Sequence, residues 1–452
     1  MTTAIVGGGI LGLTLAYRLA QRGARVEVIE AAPELGGLAA THDYGPFHWD
    51  RFYHVILPTD RHLIGLLREL GLERELRWKR TLTGYHAGGR TYDMNGNRDF
   101  LRFPLLGLSD KARLAATVVY ASRFADPWPL YRVTAEEWLT RWCGRRGYEV
   151  FWQPLLRAKF GPYHDRVAAV FIWASLTRLF GARSTTTSQE SMGYVRGGYR
   201  TILGALLRAL EERGASIRLG TPVRAARAIE GGCELMLGGS DGHAGREKPV
   251  SSDPVYFTGP TRLARKVASA SPELLPHVER TERENPTSAA YLGVACLVLA
   301  LRRPLMPYYV LNIADSDVEA TGVVGMTNLV DPAENTAGLQ LYYVPRYLDS
   351  QDERLDAPDD ALTASLLDRG LKRLFPDLRP EDVAYQSIHR ARFVQPLPLV
   401  RPRAVIAPGT PRPVRPFQIL NTSMLACATL NNNDVVGLVE EFVERGRAEL
   451  RF

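Results

Sequence analysis

Three glycines, one acid and two aromatic-rich segments are the residues of this 452-residue chain whose types and spacing could do chemistry. Gly7, Gly9 and Gly12 stand in GxGxxG register between a short apolar strand, 3–6, and a helical stretch that opens with Ile10 and Leu11 and runs to about residue 22. The first glycine permits a tight turn, the second lets a pyrophosphate approach the backbone, and the third lets the helix pack close to the strand. Phosphates then sit at the helix N-terminus, where free N–H groups and the positive dipole end favour negative charge. After Gly23 the alternating "RVEVIE" ends in Glu30, followed by Ala31, and that acid is placed to accept hydrogen bonds from a ribose 2′- and 3′-OH. A carboxylate there repels a 2′-phosphate, which argues against NADP. Strand, glycines, helix, strand and acid in this order predict a bound adenine dinucleotide.

Two further segments hold groups able to move protons or bind anions. "DYGPFHWDRFYHVILPTD", 43–60, concentrates His48, Asp50, Arg51, Tyr53 and His54, and His54 is the side chain of this group suited to give or take a proton near neutral pH. "FWQPLLRAKFGPYHD", 151–165, places Arg157, Lys159 and His164 among aromatics. Cations near a helix end also serve that helix's own carbonyls, so a structural role competes with a ligand-facing one for Lys159.

The stretch "EAAPELGGLAAT", 30–41, adds a second glycine pair, Gly36 and Gly37, six residues past the acid. With it the chain resembles the amine oxidase superfamily of FAD enzymes, which includes protoporphyrinogen oxidases, phytoene desaturases and, more distantly, UDP-galactopyranose mutases. The resemblance implies FAD as cofactor, with Gly36, Gly37, Leu38 and Thr41 beside its diphosphate and ribityl chain; the usual GGR is GGL here, so one phosphate-facing arginine is missing. It implies a backbone contact from Val223 to the adenine, within the Gly-Gly turn, helix and two strands of 197–227. Near the end, 417–446 is similar to the superfamily's strand, loop and closing helix. That likeness sets Asn432, Asn433 and Val435 at a helix N-terminus beside the isoalloxazine N1–C2=O, where reduction builds negative charge. Asn421 and Thr422 replace the usual glycine-rich strand end.

"DRFYHVI" and "LLRAKFG" resemble a bacterial, protoporphyrinogen oxidase-like branch, which implies near-flavin places for Tyr53, His54 and Lys159. "GMTNLVDP", 325–332, carries Gly325 and Met326 where that branch has an acid and a histidine. In "YYVPRYL", 342–348, Tyr342 and Tyr343 must point to opposite faces of a strand, so at most one faces the flavin; Tyr343 is the candidate. Arg51, Arg157, Arg390 and Arg392 are candidate contacts for an anionic substrate. The lysine that many amine oxidases hold beside flavin N5 has no counterpart in 303–345, which favours alcohol, C–C or ring C–H oxidation over simple amine oxidation.

The elements that must position these residues define an α/β protein: a Rossmann-like FAD-binding domain of the GR2 type with a discontinuous α+β substrate-binding domain. The FAD domain is expected from 1–80, 195–270 and 400–452, with a largely helical insert over 81–194 and a strand-rich insert over 271–399 that walls the flavin's reactive face. Residues 253–267 read as a strand and a loop returning to the FAD domain. Hydrophobic residues make up 45% and charged residues 23%, which suits a globular chain rather than a disordered one. The net charge of +7 is spread without a run of five basic residues, so no nucleic-acid partner is expected.

Cys143, Cys233, Cys296 and Cys427 show no metal-ligand spacing and read as reduced thiols, so no metal is expected and the location is expected to be cytoplasmic. The longest apolar run after the opening one, 289–301, falls short of the roughly 20 residues a membrane span requires, so no integral membrane segment is expected. The expected function is FAD-dependent removal of a hydride from a small anionic substrate, a sugar nucleotide or a secondary-metabolite intermediate, with O2 or another acceptor taking the electrons. Two alternatives stay open: non-redox flavin catalysis on a nucleotide sugar, and a flavin-binding scaffold that has lost its catalytic groups.

Overall fold

The computed structural model describes residues 2–181, 191–238, 249–285, 290–401, 411, 414–425 and 429–447. Five parallel strands form one sheet in the spatial order Phe417–Ile419, Val255–Phe257, Thr3–Val6, Val26–Ile29, Ser216–Arg218. Parallel strands covered on both faces must be apolar nearly throughout, and TAIV, VYF and FQI are. Glu27 is the buried acid of this sheet, and its carboxylate accepts a 2.6 Å hydrogen bond from Arg218 on the neighbouring strand. Helix Ile10–Ala20 is buried on almost every side, because helices Tyr199–Glu211 and Asn432–Arg445 pack against it. Its sequence, ILGLTLAYRLA, is correspondingly apolar around the whole circumference. The chain departs from Thr3–Val6 to one side and returns on the other, so a crevice lies at the carboxyl ends of these strands, where ligands of open parallel sheets bind.

A second sheet has seven strands in the order Val383–Pro396, Tyr291–Leu301, Gln340–Asp349, Gly322–Gly325, Val310–Ile313, Thr83–Ala87, Arg90–Asp93. It is antiparallel except where Val310–Ile313 meets Thr83–Ala87. Tyr291–Leu301 is buried at every position because strands pair with both its edges and a separate cluster covers each face, Val294, Cys296 and Val298 lying in one and Ala295, Leu297 and Leu299 in the other. The hairpin Thr83–Asp93 falls in the stretch expected to be largely helical. Gly88 and Gly89 both take positive φ, 61° and 70°, the two-residue turn that reverses a chain between twisted strands. Most of the remaining described residues of that stretch are helical, and Leu108–Arg123, Ala135–Gly147, Gln153–Phe160 and Ala169–Gly181 close around Leu114, Leu139, Phe160 and Ile172; Ser191–Val195 is a second departure, a strand paired with Leu76–Arg80.

The loop expected after Val255–Phe257 is instead helix Thr261–Ala268, whose Ala264, Val267 and Ala268 face the core at helical spacing. Cys143, Cys233 and Cys296 are free and buried, and Cys427 lies outside the described residues. Among the described residues no helix is long and apolar enough to cross a membrane, and no cluster of His, Cys, Asp or Glu could hold a metal ion.

Candidate active site

A cavity of about 490 Å³ lies between the two sheets. At one end it is lined by residues that each follow a strand of the parallel sheet: Gly7, Glu30, Thr258 and Asn421. Gly9, Ile10, Leu11 and Gly12 line it as the first helix begins, and Gly36, Gly37 and Leu38 cross beside them. The two glycine loops are tied by the Gly36 amide, which donates to the Gly8 carbonyl at 2.8 Å. A Cβ on Gly12 would stand 2.0 Å from the Gly7 carbonyl oxygen, so the helix approaches the turn as closely as it does only without a side chain there. A Cβ on Gly9 would meet only the Gly36 oxygen, at 3.9 Å, so its bareness serves the cavity rather than protein packing.

Glu30 accepts the Gly8 and Ala32 amides at 2.5 and 2.8 Å, which holds its carboxylate at the rim. The Glu30 carbonyl accepts the Thr221 amide at 2.9 Å, and Val223 follows two residues on, outside the lining. Helix Asn432–Arg445 starts at the cavity. Asn431 caps it by accepting the Asp434 amide at 2.9 Å, and Asn432 and Val435 face inward.

The other end is built of side chains. His54 Nδ1 lies 3.7 Å from Asp50 Oδ2, an ion-pair separation rather than a hydrogen bond, and the ring leans on Tyr199 at 4.5 Å between centroids. Burial holds the Asp50 carboxyl above its ordinary range, against the opposing pull of His54 and of the Tyr199 amide, which donates to Oδ1 at 2.9 Å. The Tyr53 and Tyr347 hydroxyls meet at 3.0 Å, and burial lifts both phenols well clear of titration near neutral pH.

Lys159 projects from Gln153–Phe160 among the rings of Phe160, Phe171 and Tyr347, with Nζ 5.7, 5.1 and 5.5 Å from their centroids. It retains some exposed area because the cavity itself reaches it, yet protein surrounds it, and this desolvation pushes the ammonium down to about 8. Among the described residues it has no carboxylate partner. Arg178 also lines this end, but its guanidinium is committed to buried Asp60, at 3.2 and 2.9 Å. Tyr291 and Phe393 complete the wall, edge to face at 5.7 Å.

A family model described as flavin containing amine oxidoreductase matches residues 12–407. The chain belongs to this family. Its fold is similar to those of an oxidoreductase from Methanosarcina mazei (17% identity, TM-score 0.72, 98% of this chain and 100% of that one) and the cyclohexylamine oxidase of Brevibacterium oxydans (16%, 0.69, 99% of each). It is also similar to a reduced UDP-galactopyranose mutase (15%, 0.65, 98% and 95%). No curated protein matches the chain in sequence.

FAD is the cofactor of flavin amine oxidoreductases, and the glycine end of this cavity fits it. Bare backbone at Gly9, a helix N-terminus behind it and a rim carboxylate at Glu30 are the groups a diphosphate and a ribose require.

Several residues singled out in the sequence lie elsewhere. Ala31 and Thr41 flank the cavity without lining it; Thr41 opens a short strand paired with His48–Asp50. Asn433 turns away, its side chain accepting the His62 and Leu63 amides at the start of helix Arg61–Glu69. Tyr343 is fully buried and donates to the Asp50 carbonyl at 2.5 Å, so its hydroxyl fastens the sheet to the 41–50 hairpin instead of facing the cavity.

None of the four candidate substrate arginines reaches the cavity, because each is spent on a nearer partner. Arg51 pairs with Glu34, and Arg157 donates to His164. Arg390 pairs with Asp359 and donates to the Leu355 and Ala357 carbonyls, while Arg392 pairs with Asp356 and donates to Ser350. Sequence reasoning in turn missed Arg178, Tyr291, Tyr347 and Phe393. A lone cation in the otherwise apolar AVFIWASLTRLFG was the one available signal for Arg178.

Proposed function

We propose that the protein is an FAD-dependent oxidoreductase that removes a hydride from a small substrate bearing a carboxylate or phosphate. FAD held at the glycine end would supply the hydride acceptor, with O2 or another acceptor taking the electrons. The observation that carries the anionic substrate is the charge distribution of the cavity. Glu30 is the only carboxylate among its described lining residues, and it is held at the dinucleotide end by two amides. Among the described residues the opposite end presents the Lys159 ammonium without a carboxylate partner, and no carboxylate in its lining could receive a substrate amine as a cation.

In this reading Lys159 binds the substrate anion, and the Tyr347, Tyr291 and Phe393 rings exclude water and hold its apolar body. His54 takes the proton released with the hydride at the ring nitrogen turned away from Asp50, and Asp50 stabilises the imidazolium that results. The test is anaerobic reduction of the purified flavoprotein by matched compounds differing only in carrying a carboxylate, a phosphate or an amine. Bleaching by the acids supports the reading. Turnover that needs prior flavin reduction and consumes no acceptor would replace it with isomerase chemistry.

A further inference from the structure

Lys159 stands one residue before the end of helix Gln153–Phe160, so whatever holds that end also places the ammonium. Gly161 takes a φ of 52°, and the chain leaves the helical path there. Pro162 follows, without the N–H that would ordinarily bond back to the carbonyl four residues earlier. The Ala158 carbonyl must therefore find its donor outside the helix. That donor is the Thr321 hydroxyl, at 2.9 Å, from the residue preceding strand Gly322–Gly325.

The same oxygen satisfies a second backbone group. Strand Gln340–Asp349 pairs with Gly322–Gly325 at Tyr342 and Tyr343, and past that pairing the Tyr347 amide donates to Thr321 Oγ1 at 3.2 Å. Thr321 is itself fixed by its own amide, which donates to the Pro345 carbonyl at 2.8 Å. One hydroxyl thus gives its proton to the residue before Lys159 and accepts one from Tyr347, which is all a hydroxyl needs to be satisfied. A second tie follows Lys159, where the Tyr163 hydroxyl donates to the Asp349 carboxylate at the end of the same strand. Lys159 Nζ and the Tyr347 ring, 5.5 Å apart, both line the cavity, whereas Thr321 does not.

We propose that Thr321 is a positioning residue of the substrate end, its hydroxyl setting the Lys159 ammonium against the Tyr347 ring by joining the two backbones that carry them. It acts through Lys159 rather than on a ligand. The consequence for substrate binding rests on the anion-binding role proposed above; the placement of the ammonium follows from the hydrogen bonds themselves. Removing the hydroxyl leaves the Ala158 carbonyl and the Tyr347 amide without these partners, and both then draw water to the helix end. Burial is what pushes Lys159 down to about 8, so water admitted there raises it toward the ordinary lysine range.

The experiment follows that ammonium by NMR in the full FAD-loaded protein labelled with 13C at lysine Cε. The chain has six lysines, and the signal missing from Lys159→Met identifies the one in question. Thr321→Val keeps the shape of the side chain without its hydroxyl. It should move the Lys159 midpoint up from about 8 toward those of the other lysines, and weaken benzoate binding about fivefold, with flavin content unchanged. Thr321→Ser should restore both. Thr321→Cys, whose thiol donates only weakly, should fall between them and decides the matter should Thr321→Val not fold. In a Lys159→Met chain, adding Thr321→Val should cost benzoate binding nothing further. A Lys159 midpoint unmoved in Thr321→Val and Thr321→Cys overturns the proposal, as does a shift that Thr321→Ser fails to reverse. Equal benzoate affinity in the parent and Lys159→Met would instead overturn the anion-binding role, and the Lys159 signal would still decide the placement.

Discussion

The two ends of the cavity are made of different materials. The dinucleotide end is backbone: amides and bare glycines from turns that follow parallel strands, with the Glu30 carboxylate locked by the Gly8 and Ala32 amides. The substrate end is side chain: a lysine and an arginine from two helices, and tyrosines and a phenylalanine from three strands of the other sheet. Backbone geometry tolerates no added bulk but does not depend on the chemistry of its neighbours. A side-chain wall tolerates substitution of volume, but its chemistry changes with each residue. The glycine end therefore suits an adenine dinucleotide whatever the substrate, and under the proposed function the other end sets this chain's specificity.

The contrast can be broken most severely at Gly9. A Gly9→Val chain should fold, since a Cβ at this position stands 3.9 Å from the Gly36 oxygen with no nearer protein atom, yet fill the cradle and weaken FAD binding by more than about a hundredfold. Flavin content per chain and circular dichroism would show loss of colour with secondary structure kept. His54→Gln should leave the flavin spectrum intact and lower kcat by roughly a hundredfold; an unchanged kcat would remove the proton-accepting role.

Lys159→Met should raise KM for acids by about tenfold with flavin content unchanged, and Lys159→Arg should recover part of it. The same replacement should stabilise the protein at pH 7 by on the order of 1 kcal/mol, because burial disfavours the ammonium. The sign follows from the lowered folded-state value. Between about 8 and the ordinary lysine range the unfolded chain binds more protons, so the cost of burying this charge shrinks as pH rises through that window. Thermal melts of both chains across pH would show the gap narrowing. Glu30→Gln should weaken FAD by roughly tenfold, measured by titration of the apoprotein. Arg390→Ala and Arg392→Ala should leave KM unchanged and shift stability by no more than about 1 kcal/mol.

The same division governs how much was legible beforehand. Strand, glycines, helix and acid lie within thirty consecutive residues, and local sequence suffices to specify a local turn, so Gly7, Gly9, Gly12 and Glu30 could be placed without knowing the rest of the fold. The hairpin at Gly88–Gly89 was equally local and was overlooked because the stretch around it is helical. Arg390 and Arg392 show a different limit. Their parity puts them on one face of Val383–Pro396, but which face meets the cavity depends on pairing with Tyr291–Leu301, whose register shifts between Leu292 and Val294. That shift is also why Phe393, Val394 and Gln395, three consecutive residues, all line the wall. Tyr343 was misjudged for a related reason, since its strand's alternation was readable while the Asp50 carbonyl that occupies its hydroxyl lies far away in sequence.

We propose above all that the substrate end binds an anion through the Lys159 ammonium, which burial pushes down to about 8. It is tested most directly by titrating the oxidised flavoprotein with benzoate, as a simple aromatic carboxylate, and following the perturbed flavin spectrum from pH 6.5 to about 9.5, the window set by that deprotonation. The account predicts affinity that falls as pH rises through about 8 in the parent chain, and weak, pH-independent binding in Lys159→Met. Equal affinity in the two chains, or no change across that window, would contradict it.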